Sequence, residues 1–124
     1  MQVTMAFYEI HGVRQIAGEP KRRWFCDDFF DLILWLDDGG GILGFQLCYN
    51  KQGDQHALTW HAGSGYLHTR VDEGESRPGK FKASPVLMPN GPFSKEAIAV
   101  LFLRASRPLE RWIVDAVHAK ILQY

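Results

Sequence analysis

The sequence lacks features that are typical of several large classes of protein. Two cysteines among 124 residues are too few for the disulfide framework that stabilises many small secreted domains. No apolar run approaches the roughly 18 residues that a membrane-spanning helix needs. The segment Met1 to His11 has neither the basic region nor the continuous apolar region of a signal peptide. We therefore expect a cytoplasmic protein with no membrane partner.

The chain also lacks an excess of charge of either sign. Its 14 Lys and Arg residues balance its 14 Asp and Glu residues. A balanced chain has no long-range field that attracts nucleic acid or anionic lipid, and its copies do not repel one another. The basic run Lys21 to Arg23, beside Trp24 and Phe25, is too short to make several phosphate contacts. Self-association is therefore permitted, whereas nucleic-acid binding is not expected.

Motifs that fix a reaction or a cofactor are missing. The chain has no P-loop, nucleophile elbow, HExxH or paired CxxC sequence. Gly39, Gly41 and Gly44 have the G-x-G-x-x-G spacing of a dinucleotide site, but such a site needs a helix directly after the glycines. The segment Ile42 to Tyr49 alternates like a strand instead. The sequence therefore predicts no cofactor and does not identify an enzyme.

What the sequence does contain is a period-2 alternation of apolar and polar residues, interrupted by three glycine-bearing dipeptides. Asp38-Gly39, Gln52-Gly53 and Gly63-Ser64 each supply glycine where a two-residue hairpin turn needs a positive φ. The segments between and beside them alternate as half-buried strands do. The pattern predicts an antiparallel meander of four strands from Phe29 to Asp72, with Arg22 to Cys26 as a fifth extended segment.

These turn centres also predict the pairing register. They place Leu34 opposite Leu43, Phe45 opposite Trp60, and Trp60 opposite Leu67. This register collects nearly all the large apolar side chains on one face of the sheet. Because side chains alternate strictly between the faces, a slip of one residue in any hairpin would mix the two sets.

The C-terminal third provides a cover for the apolar face. Ser106 and Pro108 predict the start of a helix, and its inward residues recur at helical spacing: Leu109, Trp112, Ile113, Ala116, Val117 and Ile121. The preceding segment, from Ser94 to Ala105, is favoured as a helix, although its apolar stretch also fits a buried strand. The fold class is therefore α+β: an antiparallel four- to five-stranded meander packed on one face by one or two C-terminal helices.

Length and composition suit one domain over residues 1–124, since a chain of this size that is 46% hydrophobic can bury a core. The sheet is expected over about residues 22–72, a long loop over residues 73–92 and the helical part over residues 94–123. A loop of that length usually has a function or contains an element, and Phe81 to Met88 fits an edge strand. At the other end, Phe7 to Ile16 fits a small hairpin with Glu9 opposite Arg14.

The second face of the predicted sheet is the candidate functional surface. The register places Asp31, Gln46, Thr59 and His68 in one row, with His61 and Tyr66 in the next. His61 and His68 become diagonal neighbours, so their imidazoles can converge near two hydroxyl groups. Solvated polar residues are nevertheless the commoner content of such a face. No metal site is predicted, because only two histidines converge.

Large apolar residues share this predicted face, which is the signature of an interface, a ligand groove or a covered surface. The first interpretation is a non-enzymatic binding or interaction module whose contact residues are drawn from Asp31, Trp35, Ile42, Gln46, Thr59, His61, Tyr66 and His68. The alternative is a small enzyme or ligand-binding protein that uses the histidines with Thr59 and Tyr66. A flat surface would favour the first, and a concave pocket holding both imidazoles would favour the second.

Overall fold

A computed structural model describes residues 5–71 and 94–124. In this part of the chain, six strands form one antiparallel sheet in sequence order and two helices follow. The strands are β1 (Tyr8–Ile10), β2 (Lys21–Cys26), β3 (Phe30–Leu36), β4 (Ile42–Tyr49), β5 (His56–His61) and β6 (Gly65–Arg70), and the helices are α1 (Lys95–Ala105) and α2 (Arg111–Gln123). The predicted α+β class is confirmed, with more strands than expected. The predicted loop of residues 73–92 and its Phe81 to Met88 strand lie outside the described residues.

The side chain of Asp37 organises the turn between β3 and β4. Its carboxylate accepts hydrogen bonds from the backbone N–H groups of Gly39 at 2.9 Å and of Gly41 at 2.8 Å. Gly40 has a φ of 90°, which glycine adopts without strain. Asp side chains commonly form turns by bonding the backbone two residues further on. The loop is therefore longer than the predicted two-residue turn at Asp38-Gly39.

The longer loop shifts the pairing of β3 with β4 by two residues. Leu34 lies opposite Phe45 rather than Leu43. A shift of two leaves regularly paired side chains on their predicted faces, because the alternation has a period of two. The pairing then becomes irregular at Leu36, which lies opposite Ile42. Ile42 consequently packs against the core, so its predicted place on the second face is wrong.

The pairing of β4 with β5 is confirmed residue by residue. Phe45 lies opposite Trp60, and Leu47 lies opposite Leu58. The rings of Phe45 and Trp60 have centroids 6.1 Å apart on a common side of the sheet. The central hairpin therefore has the predicted register.

The turn between β5 and β6 is longer than predicted by one residue. Three residues, Ala62 to Ser64, connect His61 to Gly65, and these two residues pair directly. Gly63 and Gly65 have φ values of 90° and 88°. The backbone thus reverses around an odd number of loop residues, and the predicted two-residue turn at Gly63-Ser64 is wrong.

This difference of one residue in loop length exchanges the side chains of β6 between the two faces of the sheet. Trp60 lies opposite Tyr66 rather than Leu67. Since a shift of one exchanges the two faces of a strand, Tyr66 and His68 lie on the face that carries Trp60, and Leu67 lies on the other. The predicted positions of Tyr66 and His68 on the second face are therefore wrong.

Helix α1 begins as predicted, so the helical interpretation of this segment is confirmed over the strand. The Ser94 hydroxyl accepts a hydrogen bond from the N–H of Ala97 at 3.3 Å. Ser106, predicted to begin the next helix, instead ends α1, because its N–H donates to the carbonyl of Phe102 at 2.8 Å. Helix α2 begins after Glu110 with no side-chain cap.

The core lies between one face of the sheet and the two helices. We call this side the core face. Phe30 of β3 meets Phe102 of α1 with ring centroids 6.3 Å apart, and the Tyr66 hydroxyl donates to the carbonyl of Lys120 in α2 at 2.7 Å. The fully buried side chains also include Leu32, Leu34, Phe45, Leu47, Leu58, Ile113 and Ile121. Trp112 was predicted to face inward but is 45% exposed.

The first strand pairs with β2 instead of forming its own hairpin. Glu9 lies opposite Phe25, so the predicted pairing of Glu9 with Arg14 is wrong. The Glu9 carboxylate binds the guanidinium of Arg23 at 2.8 Å, and Glu110 binds the same guanidinium at 3.1 Å. The hydrogen bond from Arg23 lowers the pKa of Glu9.

Within the described ranges, no helix has both the length and the apolar character needed to cross a membrane.

Candidate functional site

The second face is the side of the sheet opposite the core face. Its central row crosses all six strands through Ile10, Trp24, Ile33, Gln46, Thr59 and Leu67. One flanking row contains Tyr8, Cys26, Asp31, Cys48, Ala57 and Thr69, and the other contains Arg22, Trp35, Gly44, His61 and Gly65. Five of the eight predicted site residues therefore lie together on this face: Asp31, Trp35, Gln46, Thr59 and His61.

The second face exposes large apolar side chains at both of its edges. Tyr8 of β1 is 59% exposed, Trp24 of β2 is 37% exposed and Leu67 of β6 is 60% exposed. Between them, Trp35 and His61 are half-buried by their neighbours. The predicted mixture of apolar and polar residues on this face is thus present, although Trp24 and Leu67 were not among the predicted site residues.

Trp35 and His61 meet across a strand that separates them. Gly44 lies between them in the row, and the two rings have centroids 5.0 Å apart. A Cβ atom at Gly44 would come within 2.5 Å of His61 Nδ1 and 2.6 Å of the Trp60 carbonyl oxygen. A glycine inside a strand often marks such a close approach. A glycine within the alternating pattern of β4 is therefore the sequence signal for a close approach, whereas only the observed register places it opposite Trp35.

The polar residues at the centre of the face satisfy one another. Gln46 donates its amide hydrogen bond to the Thr59 hydroxyl at 3.1 Å, and the Cys48 thiol lies 3.9 Å from the Gln46 amide oxygen. Burial raises the pKa of the Cys48 thiol to about 11. A thiol with that pKa is a poor nucleophile near pH 7, because the thiolate is the reactive form.

Asp31 is engaged at the edge of the face and does not approach a histidine. Its carboxylate accepts a hydrogen bond from the indole N–H of Trp24 at 3.2 Å and lies 3.4 Å from the Lys51 ammonium. Asp31 and His61 are in different rows, with the central row between them. An acid–base pair of these two residues is therefore not formed.

His68 belongs to a different cluster, on the core face. Its Nε2 lies 2.7 Å from the Tyr49 hydroxyl oxygen, and its ring stacks on the His56 ring with centroids 5.6 Å apart. Tyr124 at the end of the chain also packs on His68, at 5.9 Å between ring centroids. His56, not His61, is the diagonal neighbour of His68, and the predicted convergence of His61 with His68 is wrong.

The electrostatics of this cluster favour neutral side chains. Burial, together with the nearby His56, lowers the pKa of His68 to about 4. Burial also raises the pKa of Tyr49 above its ordinary value. At pH 7 the imidazole and the phenol are both uncharged, so the short contact between them is a hydrogen bond between neutral groups. No sequence signal predicted this cluster, because its formation depends on the odd loop length before β6.

Two further features complete the chemistry of the described residues. Among residues 5–71 and 94–124, no three His, Cys, Asp or Glu side chains are arranged to hold a metal ion. An open cavity of about 330 Å³ lies at one corner of the second face, lined by Ile10, Gly12, Val13, Arg14, Arg22, Trp24 and Ile33. Sequence reasoning missed this cavity because it assigned β1 to a separate hairpin.

Comparison of the chain with protein-family models, with curated protein sequences and with solved structures finds no significant match.

Proposed function

We propose that the protein is a non-enzymatic binding module that associates with a second copy of itself through the second face. The observation that carries this proposal is the distribution of apolar side chains. Both described helices pack on the core face, while Tyr8, Trp24 and Leu67 remain exposed on the other. Large apolar residues that are exposed on a sheet face without a described helix over it are typical of an interaction site.

The size of the second face supports a stable pair. Six strands about 4.8 Å apart, with an average length of about six residues at roughly 3.4 Å per residue, cover an area of about 29 by 20 Å. Because side chains project from the sheet, the accessible surface of such an area approaches the roughly 800 Å² per partner that a standard interface buries. Two sheets pack face to face with strand directions within about 30° of each other, and a two-fold axis would bring identical residues together.

The uncharged centre of the face also supports a second copy as the partner. The centre carries the uncharged side chains Gln46 and Thr59, which are bonded to each other, and the cores of interfaces are depleted in charge. Asp31 is balanced by Lys51. The whole chain has zero formal net charge, so two copies meet without net repulsion.

The residues of the alternative, a small enzyme or ligand-binding protein with a His/Thr/Tyr site on this face, are divided between the two faces of the sheet. His61 and Thr59 lie on the second face, whereas Tyr66 and His68 lie on the core face. The remaining histidine has a tryptophan ring as its close neighbour. General acid–base work needs a partner group within hydrogen-bond reach, and the residues named for the alternative are not grouped in that way.

Sedimentation equilibrium tests the proposal. We expect the wild-type chain to dimerise reversibly, and Leu67→Lys to raise the dimer dissociation constant at least tenfold because it places a charge in the interface. Val100→Lys is the matched control, since Val100 is 58% exposed on α1, away from the second face. A wild-type chain that remains monomeric up to high concentration would contradict the proposal, and so would an equal effect of the two variants.

A further inference from the structure

The cavity at the corner of the second face has apolar walls. Ile10, Trp24 and Ile33 are consecutive members of the central row on β1, β2 and β3, and Val13 closes the cavity from the segment that follows β1. Its volume of about 330 Å³ lies at the lower end of the range for small-molecule sites. The cavity therefore suits a small and largely apolar body.

The wall that contains Val13 and Arg14 is held in place by hydrogen bonds to β2. The Gln15 side-chain amide donates to the Arg22 carbonyl at 3.0 Å, and its oxygen accepts from the Arg22 N–H at 2.9 Å. This side chain thus pairs with the β2 backbone as a neighbouring strand would. The Arg22 guanidinium also donates to the Arg14 carbonyl. The cavity is consequently formed before any ligand arrives.

Two positive charges belong to the lining of the cavity. Arg14 and Arg22 both contribute to it, and neither forms an ion pair among the residues that the structure describes. Arg22 uses one N–H group on the Arg14 carbonyl and keeps other donors. Asp31, which bonds the Trp24 indole, is already paired with Lys51.

We infer that this cavity binds a small planar acid, an aromatic ring that carries a carboxylate or phosphate group. The ring packs against the Trp24 indole, because aromatic pairs stack favourably in such sites. The anionic group lies at Arg22 and Arg14, since a guanidinium binds carboxylate and phosphate with two parallel hydrogen bonds. The apolar walls and the two charges together select an acid over a neutral or cationic ring.

This inference is independent of self-association, but the two would use some of the same residues. Trp24 and Ile33 belong to both the central row and the cavity. The binding measurement is therefore made on the Leu67→Lys variant, which has the cavity intact and an altered opposite edge of the face. A failure of either proposal is then distinguishable from a failure of the other.

NMR titration of this variant with matched probes tests the inference. Benzoate and phenyl phosphate carry the two anionic groups, and benzamidine has the shape of benzoate with the opposite charge. We expect benzoate, phenyl phosphate or both to shift the Trp24 indole and Val13 signals, with affinity falling as salt is added. Benzamidine is expected not to bind. Equal binding of benzoate and benzamidine, or no shift with either acid at about 10 mM, would overturn the inference.

Two arginine substitutions test whether the positive charge at the cavity is needed to bind the acid. In Arg14→Gln the carbonyl that anchors Arg22 is retained, so the wall remains in place while one charge is lost. We expect the acid to bind at least about fivefold more weakly to this variant. Arg104→Gln, in the last turn of α1, is the control and should bind as before. An unchanged affinity in Arg14→Gln would also contradict the inference.

Discussion

The two faces of the sheet are made by the same six strands but are held together in different ways. On the core face, Leu58 and Phe45 are fully buried in one cluster with side chains from the helices. On the second face, side chains contact mainly one another across the strands, as Gln46 does with Thr59. The comparison indicates that the core face supplies most of the stability. Among the described residues, no helix packs on the second face, and this is the face that we propose for self-association.

The sharpest test of this comparison makes the same substitution on both faces. Leu58→Ala removes a fully buried side chain and should lower the free energy of unfolding by about 2–5 kcal/mol. Leu67→Ala changes a side chain that is 60% exposed and should cost about 0.5 kcal/mol or less. Urea unfolding, at a concentration where the chain is monomeric, measures both. Similar costs would show that the two faces do not differ as described.

The second face does contain one tightly packed position. Gly44→Ala places a Cβ atom 2.6 Å from the Trp60 carbonyl oxygen, which belongs to the paired backbone and cannot move away cheaply. We expect a cost of about 1–3 kcal/mol, with loss of the ring contact between Trp35 and His61. Gly39→Ala is the control, because its Cβ would meet only the Asp37 carboxylate at 3.5 Å. If the two variants unfold alike, the close approach at Gly44 is not a constraint.

Acid should weaken the core face through His68. Its pKa is lowered to about 4 in the folded chain, below the ordinary value of 6.5. The unfolded chain therefore binds more protons between these values, so the stabilising contribution is complete above about pH 6.5 and is lost as the pH falls toward 4. Thermal unfolding from pH 7 to 5 should show a smaller decline for His68→Gln than for wild type. Tyr49→Phe keeps the imidazole and should retain the wild-type decline; equal slopes in wild type and His68→Gln would refute this role.

A small effect is expected at the centre of the second face. Thr59→Val keeps the β-branched shape and removes the hydroxyl that accepts the Gln46 amide hydrogen bond at 3.1 Å. A cross-strand pair of this kind contributes about 0.5–1 kcal/mol, and chemical denaturation should show a loss in that range. A cost comparable to that of Leu58→Ala would mean that the polar network, and not the core, dominates this hairpin.

The sequence predicted the core face well, because an error of two residues in the pairing register of a hairpin leaves each side chain on its predicted face. Leu34 pairs two residues away from its predicted partner, yet it remains buried. The same reasoning failed for β6, where the error was a single residue and Tyr66 and His68 moved to the other side. The face was thus predicted correctly for Trp35, Gln46 and Thr59, and wrongly for Ile42 at the start of β4 and for the two residues of β6.

Local signals were less decisive at the ends of elements. Ser94 and Ser106 both precede a helical pattern, but Ser94 begins α1 and Ser106 ends it. The hydroxyl of Ser106 bonds the Leu103 carbonyl of the helix before it. Its buried position between the two helices decided between these roles, and the sequence pattern around it does not contain that information.

By itself, the alternation of apolar and polar residues determined that this chain forms an antiparallel sheet with one apolar face. That face needs helices to cover it, because the burial of an apolar sheet face has only a few solutions. Only the tertiary structure decided loop lengths, and with them the register of β6, the stack of His68 on His56 and the meeting of Trp35 with His61. Loops that differ by one residue have nearly the same local sequence preferences, yet they place a whole strand's side chains on opposite faces.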